Sequence, residues 1–160
     1  MAQKTDQFLK ERYICKVRQF PGLSEFNCLF DDLAVEQQAA LSSHIDESLM
    51  GVPVLFFTKP GGEWTLLCTR QVVGFDGKTY CAVLLSDIEG FYPAELIGLD
   101  GKESLRKVRE GGKKEFNQLS VRIRNRAPII LHANKGADFH EMCGVLLMAA
   151  RLNNWAGGAL

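Results

Sequence analysis

Apolar residues recur at helical spacing in the first fifty positions of the chain and at strand spacing after Gly51. Phe8, Leu9, Tyr13 and Val17 lie close to one face of a helix over 5–19, and Thr5 is placed to cap it. Pro21 and Gly22 interrupt the pattern. A second helical stretch is predicted after Ser24, carrying Phe26, Leu29, Phe30 and Leu33. A third covers 34–47 with Val35, Ala39, Leu41 and Ile45.

Past Gly51 the signals are those of hairpins. VPVLFFTK (52–59) is an apolar run bounded by breakers, PGGE (60–63) a turn, and WTLLCTRQVVGF (64–75) the return strand. DGK (76–78) marks the next turn and TYCAVLLSDI (79–88) the next strand. Pro93 makes GFYPAELIGLD (90–100) an edge strand. The polar segment 101–114 reads as a loop or a short helix ended by Gly111-Gly112. In NQLSVRIRNR (117–126), Leu119, Val121 and Ile123 alternate with Ser120, Arg122, Arg124 and Arg126, so the strand has one wet face. APIILHAN (127–134) is a more buried strand beside it.

The last element has the clearest pattern. Asp138 and Glu141 form a start resembling a capping box. Phe139, Met142, Cys143, Leu146, Leu147 and Ala150 then follow as one apolar stripe of a helix over 138–153. Arg151 suits its C-terminal end, and Trp155 follows.

Composition narrows the class. The chain has 160 residues, 46% hydrophobic and 24% charged, which suits one globular unit. The expected organisation is a helical extension over 1–50, packed on a β-rich unit with its C-terminal helix over 51–160. Nineteen basic residues balance nineteen acidic ones, which argues against a general nucleic-acid or membrane coat. The charge is segregated, however. Pro21–Met50 carries six acidic residues and no Lys or Arg, whereas Lys102–Arg126 carries nine basic residues and three acidic ones. Five cysteines, an odd number with no C-x-x-C pair, fit a reducing compartment. MAQKTDQFLKERY lacks the apolar stretch of a signal peptide, and no run reaches the roughly 18 apolar residues of a membrane span. A cytoplasmic location is expected.

Catalytic patterns are missing where they would be sought. His140-Glu141 begins like H-E-x-x-H, but Gly144 stands where the second ligand belongs. Cys143 and His140 are helical neighbours, yet Cys143 lies on the apolar stripe, where a thiolate is costly. His132 sits in an apolar strand and reads as structural. Asp87 and Glu89 flank a strand end, and Gly61-Gly62 and Gly111-Gly112 match turns rather than phosphate loops. No metal or other cofactor is expected.

The order of hairpins in WTLLCTRQVVGFDGK and YCAVLLSDIEGFYP, closed by FHEMCGVLLMAARLNNW, resembles the pleckstrin-homology-like superfold over about residues 52–155. The resemblance implies an antiparallel β-barrel or strongly curled sheet capped by the terminal helix, preceded by a helical segment outside that fold. The class is therefore α+β. It also implies a binding domain. Many members bind phosphoinositides through basic residues near the first hairpin, where this chain offers only Lys59 and Arg70. Other members bind peptides or proteins.

The expected function is a non-catalytic module for protein–protein interaction: an adaptor, an assembly subunit or a toxin-neutralising partner. Its partner would be a protein of complementary charge, or a second copy of the chain. The expected binding residues are Arg122, Arg124, Arg126, Lys113, Lys114, Lys59 and Arg70. Two alternatives stand beside it. One is an anionic lipid or phosphate ligand held by the basic 102–126 region. The other is a small-molecule enzyme with a cleft between the helical front and the barrel.

Overall fold

The structure, a computed structural model, describes residues 4–19, 24–110 and 114–154. Helix α1 (Asp6–Val17) is capped by Thr5, whose hydroxyl accepts the Phe8 N–H at 3.1 Å. Its Leu9, Tyr13 and Val17, each one turn apart, are buried, while Phe8 is exposed. Strand β1 (Asn27–Leu29) and helix α2 (Val35–Ser42) follow. Four strands come next: β2 (Pro53–Thr58), β3 (Trp64–Cys68), β4 (Gln71–Phe75) and β5 (Tyr80–Leu84). Then come β6 (Ile88–Pro93), helix α3 (Gly101–Arg109), β7 (Gln118–Ile123), β8 (Arg126–His132) and helix α4 (Ala137–Asn154).

The fold is α+β, with two antiparallel sheets. One runs β1-β2-β3-β4-β5 and the other β6-β7-β8. Among the described residues no strand pairing joins the two sheets into a closed barrel.

The central strands of the five-stranded sheet, β2–β4, are buried on both faces, which is why they read as mostly apolar runs rather than as alternations. Leu55, Phe57, Leu67, Val72 and Val83 face the main core, shared with α1, α4 and the smaller sheet. Phe56, Trp64, Leu66, Cys68 and Val73 face the other way and are covered by Phe30 and Leu41, with Leu33 and Ile45 beside them. The acidic front of the chain is therefore a lid over the second face of the sheet.

The sheets meet where β8 crosses β3 and β4. Thr65 Oγ1 donates to the His132 carbonyl at 2.7 Å and accepts the His132 N–H at 3.1 Å. Gly74 faces Leu131, and a Cβ there would stand 2.8 Å from Leu131 Cδ2, so a larger residue would make the Leu131 side chain shift. Helix α4 lies along α1. Asn153 Nδ2 donates to the Tyr13 hydroxyl at 3.0 Å and to the Thr69 carbonyl at 3.1 Å, and the Tyr13 hydroxyl donates to that same carbonyl at 2.8 Å.

Four expectations are corrected. The stretch after Ser24 is not a helix: it forms β1, paired with β2, and then a 3-10 turn over Phe30–Asp32. Residues 64–75 are two strands, because the chain reverses at Thr69-Arg70, where the Val52 N–H is bonded to Thr69 Oγ1 and Arg70 is bonded to Asp6. Arg122, Arg124 and Arg126 do not share one strand. Arg124 and Asn125 form the β7–β8 turn, Asn125 takes φ 61°, and Arg126 opens β8 opposite Ile123. Asp138 and Glu141 do not act as a capping box. Both turn away to hold Asn27, as described below.

Candidate binding groove

The predicted site residues are scattered. Lys59 is nearly buried and pairs with Glu63 at 3.3 Å across its own turn. Arg70 Nε donates to Asp6 at 2.9 Å, and its Nη2 donates to the Lys4 carbonyl, so it anchors the start of α1. Arg122 and Arg124 lie 3.9 and 3.8 Å from the Glu89 carboxylate and stay largely exposed. Arg122 Nη2 also donates to the Glu89 carbonyl at 3.3 Å, above Gly90, where a Cβ would stand 2.9 Å from it. With Ser120, Tyr92 and Pro128 it lines a shallow cleft of about 290 Å³. Arg126 leans on the Ala82 carbonyl of β5 at 3.5 Å. Lys114 is exposed, and Lys113 lies outside the described residues.

A larger concavity, about 700 Å³, opens elsewhere, between β6, α4 and α3. One wall is β6, with Ile88, Gly90, Phe91 and Pro93. The facing wall is α4, with Phe139, Cys143, Leu147 and Ala150. Phe116 and Leu119 close the end toward β7, and Val108 of α3 stands at the mouth. The charged and polar rim is Glu89, His140, Arg151 and Asn154.

Two features make this groove unlike a core defect. Leu147 belongs to the apolar stripe expected in the core, yet it is 41% exposed because it points into the groove. Strand β6 is bonded to β7 on one side and, among the described residues, to no strand on the other. Helix α3 adds to the exposed apolar surface. None of its residues is buried, and Leu105 and Val108 remain exposed beside Ile97. Its Lys107 ammonium, donating to the Glu95 carbonyl at 3.1 Å, ties it to the body.

The groups with chemical potential diverge. Cys143 lines the groove, but burial, followed by the Glu95 charge, pushes its thiol up to about 12, so it is no thiolate at neutral pH. His132 is buried under β3, away from the groove, and burial foremost lowers its pKa. Asp87 ends a 3-10 turn, where its carbonyl takes the Arg124 N–H at 2.8 Å. Only its neighbour Glu89 reaches the groove. His140 lines the groove, whereas Glu141 is buried and bonded to Asn27, so the two never share a site. Among the described residues no three His, Cys, Asp or Glu side chains gather as a metal set, and no helix is long and apolar enough to cross a membrane.

A second polar cluster ties β1 to the start of α4. Asn27 Nδ2 donates to Asp138 Oδ1 at 2.7 Å and to Glu141 Oε2 at 2.5 Å, and Ser24 Oγ donates to Asp138 Oδ1 at 2.8 Å. The Ser24 N–H donates to Asn27 Oδ1 at 2.9 Å, which fixes the amide's orientation. Glu141 Oε1 is buried and has no hydrogen-bond partner among the described residues.

The sequence carried two signals for the groove. The apolar stripe of α4 is wider than one buried seam requires, and Pro93 marks β6 as an edge. Their meeting is a tertiary fact, set by how α4 packs beside β6. Comparison of the chain with protein-family models, with curated proteins and with solved structures finds no match.

Proposed function

We propose that this chain is a non-catalytic binding module for a protein partner, with the groove between β6 and α4 as its contact surface. The observation that carries the reading is an apolar concavity of about 700 Å³ between a strand that, among the described residues, pairs on one side alone and a facing helix that exposes a leucine. Such a surface gains from burial, at roughly 25 cal/mol per Å² of apolar area removed from water. The open strand side gains from a neighbour that supplies main-chain donors and acceptors.

The same reading extends to the fold, which we propose is pleckstrin-homology-like. Supporting it are the β2–β5 meander, the three strands β6–β8 and a final helix whose apolar face is largely buried, in that order along the chain. The anionic-ligand alternative draws on a different observation. In nine residues α3 carries Lys102, Arg106, Lys107 and Arg109 against Glu103 alone. Flotation with phosphatidylglycerol vesicles tests that alternative.

The main reading is tested by placing a photoreactive benzoylphenylalanine at position 147, and at position 79 as a remote control, in the cells that make the protein. The expected result is one stoichiometric protein adduct at 147 and none at 79. No protein adduct at 147, or a small molecule retained in the groove by native mass spectrometry, overturns it.

A further inference from the structure

The binding-module reading leaves the partner's chemistry open, and three observations narrow it. The first is the shape of the walls. Strand β6 has six residues, pairs on one side alone among the described residues, and lines the groove. A lipid chain or a helix laid there would leave the main-chain groups of that side without partners, whereas an extended segment supplies them. An added strand also projects alternate side chains to opposite faces, so every second residue would enter the apolar cavity.

The second observation is charge. Arg106 and Arg109 on α3 and Arg151 on α4 are exposed, and among the described residues none has a carboxylate within 4.0 Å. The single carboxylate lining the groove, Glu89, already faces Arg122 and Arg124. Both α3 and the Glu89 end of β6 therefore present more cation than anion.

The third is α3 itself. Leu105, 59% exposed, and Val108, 37% exposed, are three residues apart on one face, and Val108 stands at the mouth of the groove. Lys107 and Arg109 flank that face. An occupant that is apolar inside and acidic at its margins would cover Leu105 and Val108 and pair the arginines in one placement.

We propose, resting on the binding-module reading, that the groove receives an extended acidic segment of a protein partner, added as a strand to the open side of β6, with alternate apolar residues in the cavity and Asp or Glu facing Arg106, Arg109 and Arg151. The contacts with Arg122 and Arg124 are shared with Glu89, so the α3 and α4 arginines carry more of the charge selectivity.

The test is selection from a displayed library of random 12-residue peptides against the parent protein at low salt, with counter-selection against Leu147→Lys. Leu147 is exposed, so this variant is expected to keep the parent's circular dichroism and melting temperature. Enriched peptides should alternate apolar residues and be rich in Asp and Glu. A synthetic peptide of the enriched sequence should bind at least about tenfold more weakly in Arg109→Glu/Arg151→Glu, and weaken similarly between about 50 and 300 mM salt. Its binding should shift the Gly90 and Phe91 amide resonances.

Leu147-dependent peptides with no acidic bias, or peptides that bind as helices, overturn the acidic-strand proposal and leave the binding-module reading standing. No Leu147-dependent peptide, or phosphatidylglycerol vesicles that displace every enriched one, overturns both. Self-association abolished by Leu147→Lys would make a second copy of the chain the occupant and overturn the acidic segment.

Discussion

Replacing Glu141 by Gln isolates one buried charge that works against the fold. Glu141 is 2% exposed; its Oε2 takes the Asn27 amide, and its buried Oε1 takes no donor among the described residues. Burial pushes its pKa up to about 7 from 4.5, with Asp138 adding to the rise and the Asn27 hydrogen bond opposing it. A folded-state pKa above the unfolded one means that the folded protein holds this proton more tightly. The stabilisation it brings is complete below about pH 4.5 and is lost as pH rises through about 7. At about 1.4 kcal/mol per unit of pKa, the loss amounts to on the order of 3 kcal/mol. Glutamine keeps an oxygen for Asn27 and cannot ionise. Urea unfolding, followed through tryptophan emission under reducing conditions, should show the parent losing stability relative to Glu141→Gln between about pH 5 and pH 8.5. If the two proteins differ by the same amount at both ends of that range, to within about 0.5 kcal/mol, the buried-charge reasoning is wrong.

Asn27→Ala removes the amide shared by Asp138 and Glu141; the loss should be about 3 kcal/mol or more above pH 8 and smaller near pH 5, read by the same unfolding curves. Gly51→Ala should cost about 2–4 kcal/mol, because Gly51 takes φ +97° and a Cβ there would stand 2.8 Å from the Arg70 backbone nitrogen. Thermal unfolding checks it, and a change below about 1 kcal/mol would mean that this junction yields. Cys15 is exposed and Cys143 is held as a thiol, so iodoacetamide at neutral pH should label Cys15 far faster in a time course read by peptide mass spectrometry. Equal labelling would restore Cys143 as a candidate nucleophile.

Elements were legible where one side of the chain meets water. The cap at Thr5, the alternation of Leu119, Val121 and Ile123, and the stripe of α4 all write their period into the sequence because a polar face opposes an apolar one. The five-stranded sheet showed its turns at 60–63 and 76–78 but hid a third reversal, for the opposite reason. Both faces of its central strands are covered, so Trp64–Cys68 carries a single polar residue, the buried Thr65, and the Thr69-Arg70 reversal carries no Gly, Pro or Asn. What holds that reversal, Asp6 on Arg70 and Tyr13 on the Thr69 carbonyl, comes from more than fifty residues away. The stretch after Ser24 failed similarly. Its Phe30 and Leu33 have helical spacing, but Asn27 is drawn toward the carboxylates of α4, and the chain enters the sheet as β1.

The same long-range contacts explain why function is better sought at β6 than at the arginine-rich hairpin. The free side of β5 is touched by Arg126, whose guanidinium reaches the Ala82 carbonyl. Arg122 and Arg124 are partly spent on Glu89, and Lys59 and Arg70 are spent within the fold. Strand β6 instead runs beside an apolar hollow, with Leu147 exposed opposite it. An exposed strand side next to an exposed leucine is an aggregation hazard that a folded protein ordinarily blunts with charge, a bulge or a cover. Here the bulge near Gly90 and Pro93 at the strand's end shorten the exposed run without closing the hollow. A strand side only partly blunted, beside an apolar groove, is what a binding site for another chain requires.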